Sequence, residues 1–208
     1  MPDFDADDNK LTLKVVFYGP ALSGKTTNLM QLHSLLNPQR KGELMVLETR
    51  DDRTLFFDML PIGLRGDSGL DLRLKLYTVP GQVQHDSTRK AVLSRADGVV
   101  FVADSQLSQQ DNTATAFGNL EENLEKVGLD LDTDEQDLQT RWASTPWAPL
   151  IMASALQGKG VIDTFKLLLD RLYTVINGEY HLERQHGINR QTFIEGLSAS
   201  HGERYAHL

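Results

Sequence analysis

The chain has 208 residues, enough for one domain with a substantial core. It carries 29 acidic and 21 basic residues, a net charge of −8 and no run of lysine or arginine, which argues against nucleic acid or an anionic membrane as a partner. The absence of cysteine excludes disulfides, thiolate chemistry and cysteine-based metal sites.

The first predicted elements are a strand, a phosphate-binding loop and a helix. Residues 1–10 are rich in aspartate and predict a disordered leader, whereas residues 11–18 are β-branched and aromatic with partial alternation, which predicts a strand. Residues 19–26 (GPALSGKT) fit the pattern G-x-x-x-x-G-K-[ST], and leucines at helical spacing follow them. Strand, loop and helix therefore stand in the order that this kind of nucleotide site requires.

The chemistry of such a loop rests on its backbone. The N–H groups of residues 21–26 and the helix N-terminus would bind a polyphosphate, Lys25 would reach its β and γ phosphates, and the Thr26 hydroxyl would ligate Mg²⁺. The alternative, a glycine-bounded turn with a solvated lysine, is disfavoured by the flanking strand and helix. The residues predicted to bind the nucleotide here are Gly19, Ala21, Leu22, Ser23, Gly24, Lys25, Thr26 and Thr27.

The later elements alternate between strands and helices. The patterns predict strands over residues 43–48, 70–79, 97–103 and 148–155, and helices over residues 86–95, 113–127 and 161–176. This alternation predicts a three-layer α/β phosphate-loop domain over residues 11–177, with a mostly parallel sheet. Residues 178–208 predict a polar C-terminal tail. The lack of a long apolar stretch or a secretory signal predicts a cytoplasmic protein, and without an N-terminal acylation glycine or a prenylation cysteine we expect no membrane anchor.

Several segments resemble the MglA-type bacterial small GTPases, which are Ras-superfamily relatives that act in cell polarity and gliding motility. The resemblance covers residues 10–177 and implies a small-GTPase fold with Mg²⁺ as cofactor and GTP or GDP as ligand. It also implies a partner, a roadblock-fold regulatory protein of the GTPase-activating type. The segments are YGPALSGKTTNL (18–29), RTLFFDMLP (53–61), LYTVPGQ (76–82), RKAVLSRADGVVFVADSQ (89–106) and NLEENL (119–124).

The resemblance implies a role for several residues outside the loop. Thr54 would complete the coordination of Mg²⁺, Arg53 would act as an internal arginine finger and Gln82 would orient the attacking water, so that the catalytic set is Gln82, Arg53 and Lys25. Gly81 would present a backbone N–H to the γ phosphate. Residues 50–65 and 80–95 would be the two switch loops. The loop that meets the guanine base would consist of Ser154, Ala155 and Leu156.

Two features depart from the family pattern. Ala21 replaces a glycine, and its Cβ would crowd the transition state and slow hydrolysis. The guanine-reading motif N-K-x-D does not occur in the chain, and the strand before it is missing, so we expect one strand fewer than usual. Candidates to replace the motif are Asp130, Asp132, Asp134, Trp142 and Trp147. Two interpretations stay open: a GTP-binding switch with slow hydrolysis, and a degenerate scaffold with weak or ATP-tolerant nucleotide binding.

Overall fold

A computed structural model describes residues 2–48, 56–66, 68–81, 86–129 and 149–199, with the backbone alone for residues 46–48 and 56–57. The strands are β1 (Asp3–Asp5), β2 (Lys10–Tyr18), β3 (Met45–Glu48), β4 (Phe56–Arg65), β5 (Asp71–Thr78) and β6 (Gly98–Phe101). The helices are α1 (Lys25–Leu35), α2 (Asp86–Leu93), α3 (Gln110–Lys126), α4 (Val161–Tyr180), α5 (Leu182–His186) and α6 (Arg190–Ser198).

The strands form one mixed sheet with β2 at its centre. Strand β5 pairs with one edge of β2 in parallel over residues 10–17 of β2. The other edge pairs with β1 antiparallel and with β6 in parallel. Strand β4 pairs antiparallel with β5, and β3 antiparallel with β4, so β2, β3, β5 and β6 run in one direction. This confirms the predicted α/β class with a mostly parallel sheet.

Alternate residues of β2 face opposite sides of the sheet, and helices cover both sides. Leu13, Val15 and Phe17 belong to a large apolar cluster with residues of α1, α4 and α6. Val16 and Tyr18 belong to a second cluster with residues of α2 and α3. Because side chains alternate along a strand, a single buried strand supplies both cores. The layers are therefore helix, sheet and helix, with the phosphate-binding loop at the end of the central strand.

The C-terminal region differs from the predicted polar tail in its described part. Helix α4 continues to Tyr180, and α5 and α6 follow it with Leu182, Ile188 and Phe193 fully buried in the larger core. Asn189 caps α6 by accepting a hydrogen bond from Thr192 N. The apolar residues of this region are few and lie among charged ones, so its composition resembles that of a polar tail. Because these few residues are buried, residues 182–198 are part of the folded unit.

Three further segments differ from their sequence-based expectations. Residues 3–5 of the predicted leader pair with β2 as an edge strand. Strand β4 occupies residues for which no strand was expected, and it lies within the first predicted switch segment, residues 50–65. Residues 149–155 contain no strand: Ser154 makes one isolated bridge with Lys159, and Leu150 and Met152 are exposed. In the described residues, no helix is long and apolar enough to cross a membrane.

Candidate functional site

The loop between β2 and α1 has a backbone that only glycine accommodates at both ends. Gly19 has φ +146°, and a Cβ added there would lie 2.3 Å from the Val102 carbonyl oxygen. Gly24, directly before α1, has φ +95°. Between them, Leu22 has φ +63° and is 99% exposed. The two glycines therefore let the chain turn tightly out of β2 and into the N-terminus of α1.

Lys25 points back into this loop instead of into solvent. Its side chain is only 7% exposed, and Nζ donates to the carbonyl oxygens of Gly19 at 3.0 Å and Pro20 at 2.5 Å. Burial, with a smaller effect from the nearby guanidinium of Arg89, lowers the pKa of Lys25 to about 8. The loop thus holds a cation in an environment where an anion would bind it strongly, because the local dielectric is low.

A buried carboxylate faces the start of α1. The Thr26 hydroxyl donates to Asp58 Oδ2 at 2.6 Å, and the Thr78 hydroxyl donates to the same oxygen at 3.0 Å. The Asp58 N–H in turn donates to the Thr78 hydroxyl oxygen at 2.8 Å. Asp58 is 8% exposed. This arrangement brings together two oxygen ligands for a metal ion, the Thr26 hydroxyl and the Asp58 carboxylate. Thr26 is one of the residues predicted from the sequence to bind Mg²⁺.

The residues present fit a magnesium ion. Mg²⁺ prefers hard oxygen ligands, and in nucleotide sites it takes one or two from the protein and the others from phosphates and water. Among the described residues, no cluster of three or more histidine, aspartate or glutamate side chains could hold a metal ion on its own. Thr26 and Asp58 would therefore hold the ion jointly with the phosphates of a nucleotide.

Gly81, which follows β5, lies directly against the phosphate-binding loop. A Cβ added at Gly81 would lie 2.4 Å from Ala21 Cα and 2.5 Å from Ala21 N. Only a residue without a side chain allows this approach. The predicted γ-phosphate sensor and the predicted loop are thus brought together at Ala21, which is exposed.

The predicted base-binding loop lies beside the N-terminus of α1. Ala155–Gln157 form a single 3-10 turn that follows Ser154, whose N–H donates to the Lys159 carbonyl at 2.9 Å. A Cβ added at Gly24 would lie 4.0 Å from Ala155 Cβ, so the two loops are neighbours. The fold therefore places Ser154, Ala155 and Leu156 next to the phosphate-binding loop.

The structure leaves other predictions without a test. Arg53, Thr54 and Gln82 lie outside the described residues, as do the candidate base-reading residues Asp130, Asp132, Asp134, Trp142 and Trp147. Conversely, sequence reasoning missed Asp58, although it ends the RTLFFD segment. The available signal was Thr78, which replaces the aspartate of the Ras-type pattern D-x-A-G-Q. Without an acid at the end of β5, the carboxylate of the site could come from the neighbouring strand β4.

A strand, a glycine-bounded loop with a buried lysine and the N-terminus of a helix define a phosphate-loop nucleotide-binding protein. No protein-family model matches the chain. It is 39% identical over 180 residues to the "Mutual gliding-motility protein MglA" of Myxococcus xanthus (strain DK1622), a match that covers 79% of this chain and 92% of that protein. The chain belongs to the MglA-type family of bacterial small GTPases.

Proposed function

We propose that the chain is a Mg²⁺-dependent GTP-binding switch that hydrolyses GTP slowly. The observation that carries this proposal is the phosphate-binding loop, in which Lys25 is buried with its ammonium on the loop carbonyls and the next residue, Thr26, contacts the buried Asp58 carboxylate. A buried cation and an adjacent pair of hard oxygen ligands match a nucleotide polyphosphate with its magnesium ion. Thr26 and Asp58 would hold the ion, which would supply positive charge against the phosphates.

Lys25 would bind the phosphates, and the backbone N–H groups of the loop would orient them. Thr26 and Asp58 would bind Mg²⁺, and Thr54 would join them as a ligand when the γ phosphate is present. Arg53 would stabilise charge that develops between the β and γ phosphates, and Gln82 would orient the attacking water. The backbone of Ala21 lies beside Gly81. The Cβ of Ala21 would narrow the space for that water and slow the reaction.

The switch would act in the cytoplasm on a partner protein through residues 50–65 and 80–95. Within the described residues, Asp58 of the first segment contacts Thr26 of the loop and Gly81 of the second lies against Ala21, so a change at the γ phosphate would be transmitted to both segments. Family membership favours a roadblock-fold regulator of the GTPase-activating type as the partner. Its Myxococcus relative is named for mutual gliding motility, and gliding motility would be the process here, with cell polarity as the wider context.

A second function is favoured by one observation, the absence of N-K-x-D from the sequence. Without the aspartate that accepts from guanine N1 and N2, a site discriminates poorly against adenine. On this alternative the chain is a degenerate scaffold that binds nucleotide weakly, or tolerates ATP, and does not hydrolyse it at a significant rate.

The two functions are separated by titrating the purified protein with fluorescent GTP, GDP and ATP, with and without Mg²⁺, and by following phosphate release. We expect preference for GTP and GDP, dependence on Mg²⁺ and slow release of phosphate. Equal affinity for GTP and ATP without phosphate release would favour the scaffold. If Arg53 and Gln82 act in the transition state, Arg53→Ala and Gln82→Ala should lower turnover with little change in affinity.

A further inference from the structure

A polar network joins the first residue of α2 to α3 and to the last residue of β2. The side-chain amide of Asn123 donates to Asp86 Oδ1 at 2.8 Å and to the Tyr18 hydroxyl at 3.2 Å. The Asn119 amide donates to Asp86 Oδ1 at 3.1 Å, and the Tyr18 hydroxyl donates to Asn119 Oδ1 at 2.5 Å. These residues, Tyr18, Asp86, Asn119 and Asn123, are called the Asp86 network below.

The Asp86 network is buried at Tyr18 and Asn123, partly exposed at Asp86 and Asn119, and carries a charge. Asn123 is 0% exposed, and Tyr18 is buried beside it. Lys90 Nζ lies 2.7 Å from Asp86 Oδ2, and this contact, together with the amides of Asn123 and Asn119, holds the pKa of Asp86 well below its usual range. Asp86 is therefore ionised at neutral pH, and hydrogen bonds to an ionised acceptor are stronger than those to a neutral one.

The position of the network gives it a role beyond holding two helices together. Apolar contacts of Val92, Leu93, Leu120 and Leu124 already pack the later part of α2 against α3. The polar contacts lie at the other end of α2, and Tyr18 directly precedes Gly19 of the phosphate-binding loop. Polar contacts are directional, so they fix where α2 starts relative to the loop more sharply than apolar packing does.

We propose that Asn119 and Asn123 are positioning residues for GTP hydrolysis, which fix Asp86 and with it the end of the chain segment that starts at Gly81. This inference rests on the proposed function. The contact of Gly81 with the backbone of Ala21 fixes the first end of that segment. With Gly81 and Asp86 both fixed relative to the loop, Gln82, which follows Gly81 in the sequence and is proposed to orient the attacking water, would be held closer to its reactive position. Misplacement near reacting atoms is costly.

The test compares Asn119→Ala and Asn123→Ala with Asn112→Ala, which removes the same amide from an exposed position of α3. Single-turnover hydrolysis of GTP and the Kd for GTP are measured for each. We expect both network variants to hydrolyse bound GTP at least about tenfold more slowly, with Kd changed by less than about threefold. Asn112→Ala should match the wild type. Adding Asp86→Ala to Asn123→Ala should cost little more, because the two side chains act through one contact.

Hydrogen exchange of the α2 amides supplies a second measurement that needs no hydrolysis. Exchange in the first turn of α2 should be faster in Asn123→Ala than in Asn112→Ala, with GDP bound in each case. The proposal is overturned if exchange is unchanged, if hydrolysis per bound nucleotide is unchanged, or if the loss appears in Kd instead of the rate. A wild-type chain that binds GTP without hydrolysing it would refute the proposed function and the catalytic part of this inference. The exchange measurement would then decide the anchoring of Asp86 alone.

Discussion

Replacing the carboxylate of Asp58 by an amide is the sharpest test of the metal side of the site. Asp58→Asn keeps the shape of the side chain and removes its charge. In the protein, Asp58 Oδ2 accepts hydrogen bonds from the hydroxyls of Thr26 and Thr78 at 2.6 and 3.0 Å, in a position that is 8% exposed. An asparagine can still accept from these hydroxyls through its amide oxygen. The substitution therefore tests the charge more than the packing.

The expected magnitude follows from these contacts. An interaction with a charged partner in such a buried position contributes about 1.5 to 3 kcal/mol, which corresponds to about a 10- to 150-fold change in affinity. We expect the Mg²⁺ affinity of the nucleotide complex to fall by this factor. Without Mg²⁺, nucleotide affinity should stay the same or increase, because a negative charge near the phosphates has been removed. General destabilisation would instead lower nucleotide affinity both with and without Mg²⁺.

The assay is a titration with fluorescent GTP at a series of Mg²⁺ concentrations. Asp71→Asn is the matched control, because it removes a carboxylate from β5 that pairs with Arg73 at 2.7 Å near the surface. This control should behave as the wild type. If Asp58→Asn binds GTP with the same dependence on Mg²⁺ as Asp71→Asn, then Asp58 does not serve the metal and the assignment is refuted.

Three further predictions concern the loop, its neighbour and the C-terminal helices. Because the pKa of Lys25 is about 8 and bound phosphate would raise it, Kd for GDP should rise as the pH increases above about 8, by up to about tenfold per unit. A Kd that stays flat from about pH 7 to about pH 10 would contradict this. Gly81→Ala should weaken nucleotide binding by about 1 to 3 kcal/mol, because its Cβ meets the loop backbone, whereas Gly118→Ala, with open space around it, should not. Phe193→Ala should lower the free energy of unfolding by about 3 to 5 kcal/mol in denaturant titrations. A value no larger than that of the exposed control Gln191→Ala would show that α6 is not part of the core.

The phosphate end of the site could be predicted because its signal is local. The glycines, Lys25 and Thr26 lie within one short segment, and the turn needs those residue types wherever the rest of the chain goes. Strands β2 and β5 were predictable for the same reason, since alternation reports burial of one face without reference to partners. The class of fold followed from the order of these elements.

The parts that could not be predicted depend on contacts between distant residues. Residues 149–155 have a strand-like composition, yet a strand forms only where a neighbour offers a ladder. Among the described residues, β6 pairs with β2 alone. In α6, one glycine and one serine lower helix propensity, and the helix is held by burial of Phe193 and Leu197 against the core. The role of Asp58 depends on the register of β4 with β5, which no local pattern encodes.

The register of β4 also explains why a threonine at position 78 belongs with an aspartate at position 58. The paired residues Met59 and Tyr77 leave Asp58 and Thr78 as the next opposed pair, and the Thr78 hydroxyl accepts from Asp58 N–H while donating to the Asp58 carboxylate. An aspartate at 78 would face that carboxylate at hydrogen-bond distance, and two buried like charges cannot both ionise. Thr78→Asp alone should therefore impair the site, although it restores the Ras-type acid. The site tolerates one carboxylate at this pair of positions and not two. The double variant Asp58→Asn with Thr78→Asp should therefore bind Mg²⁺–GTP better than Thr78→Asp does.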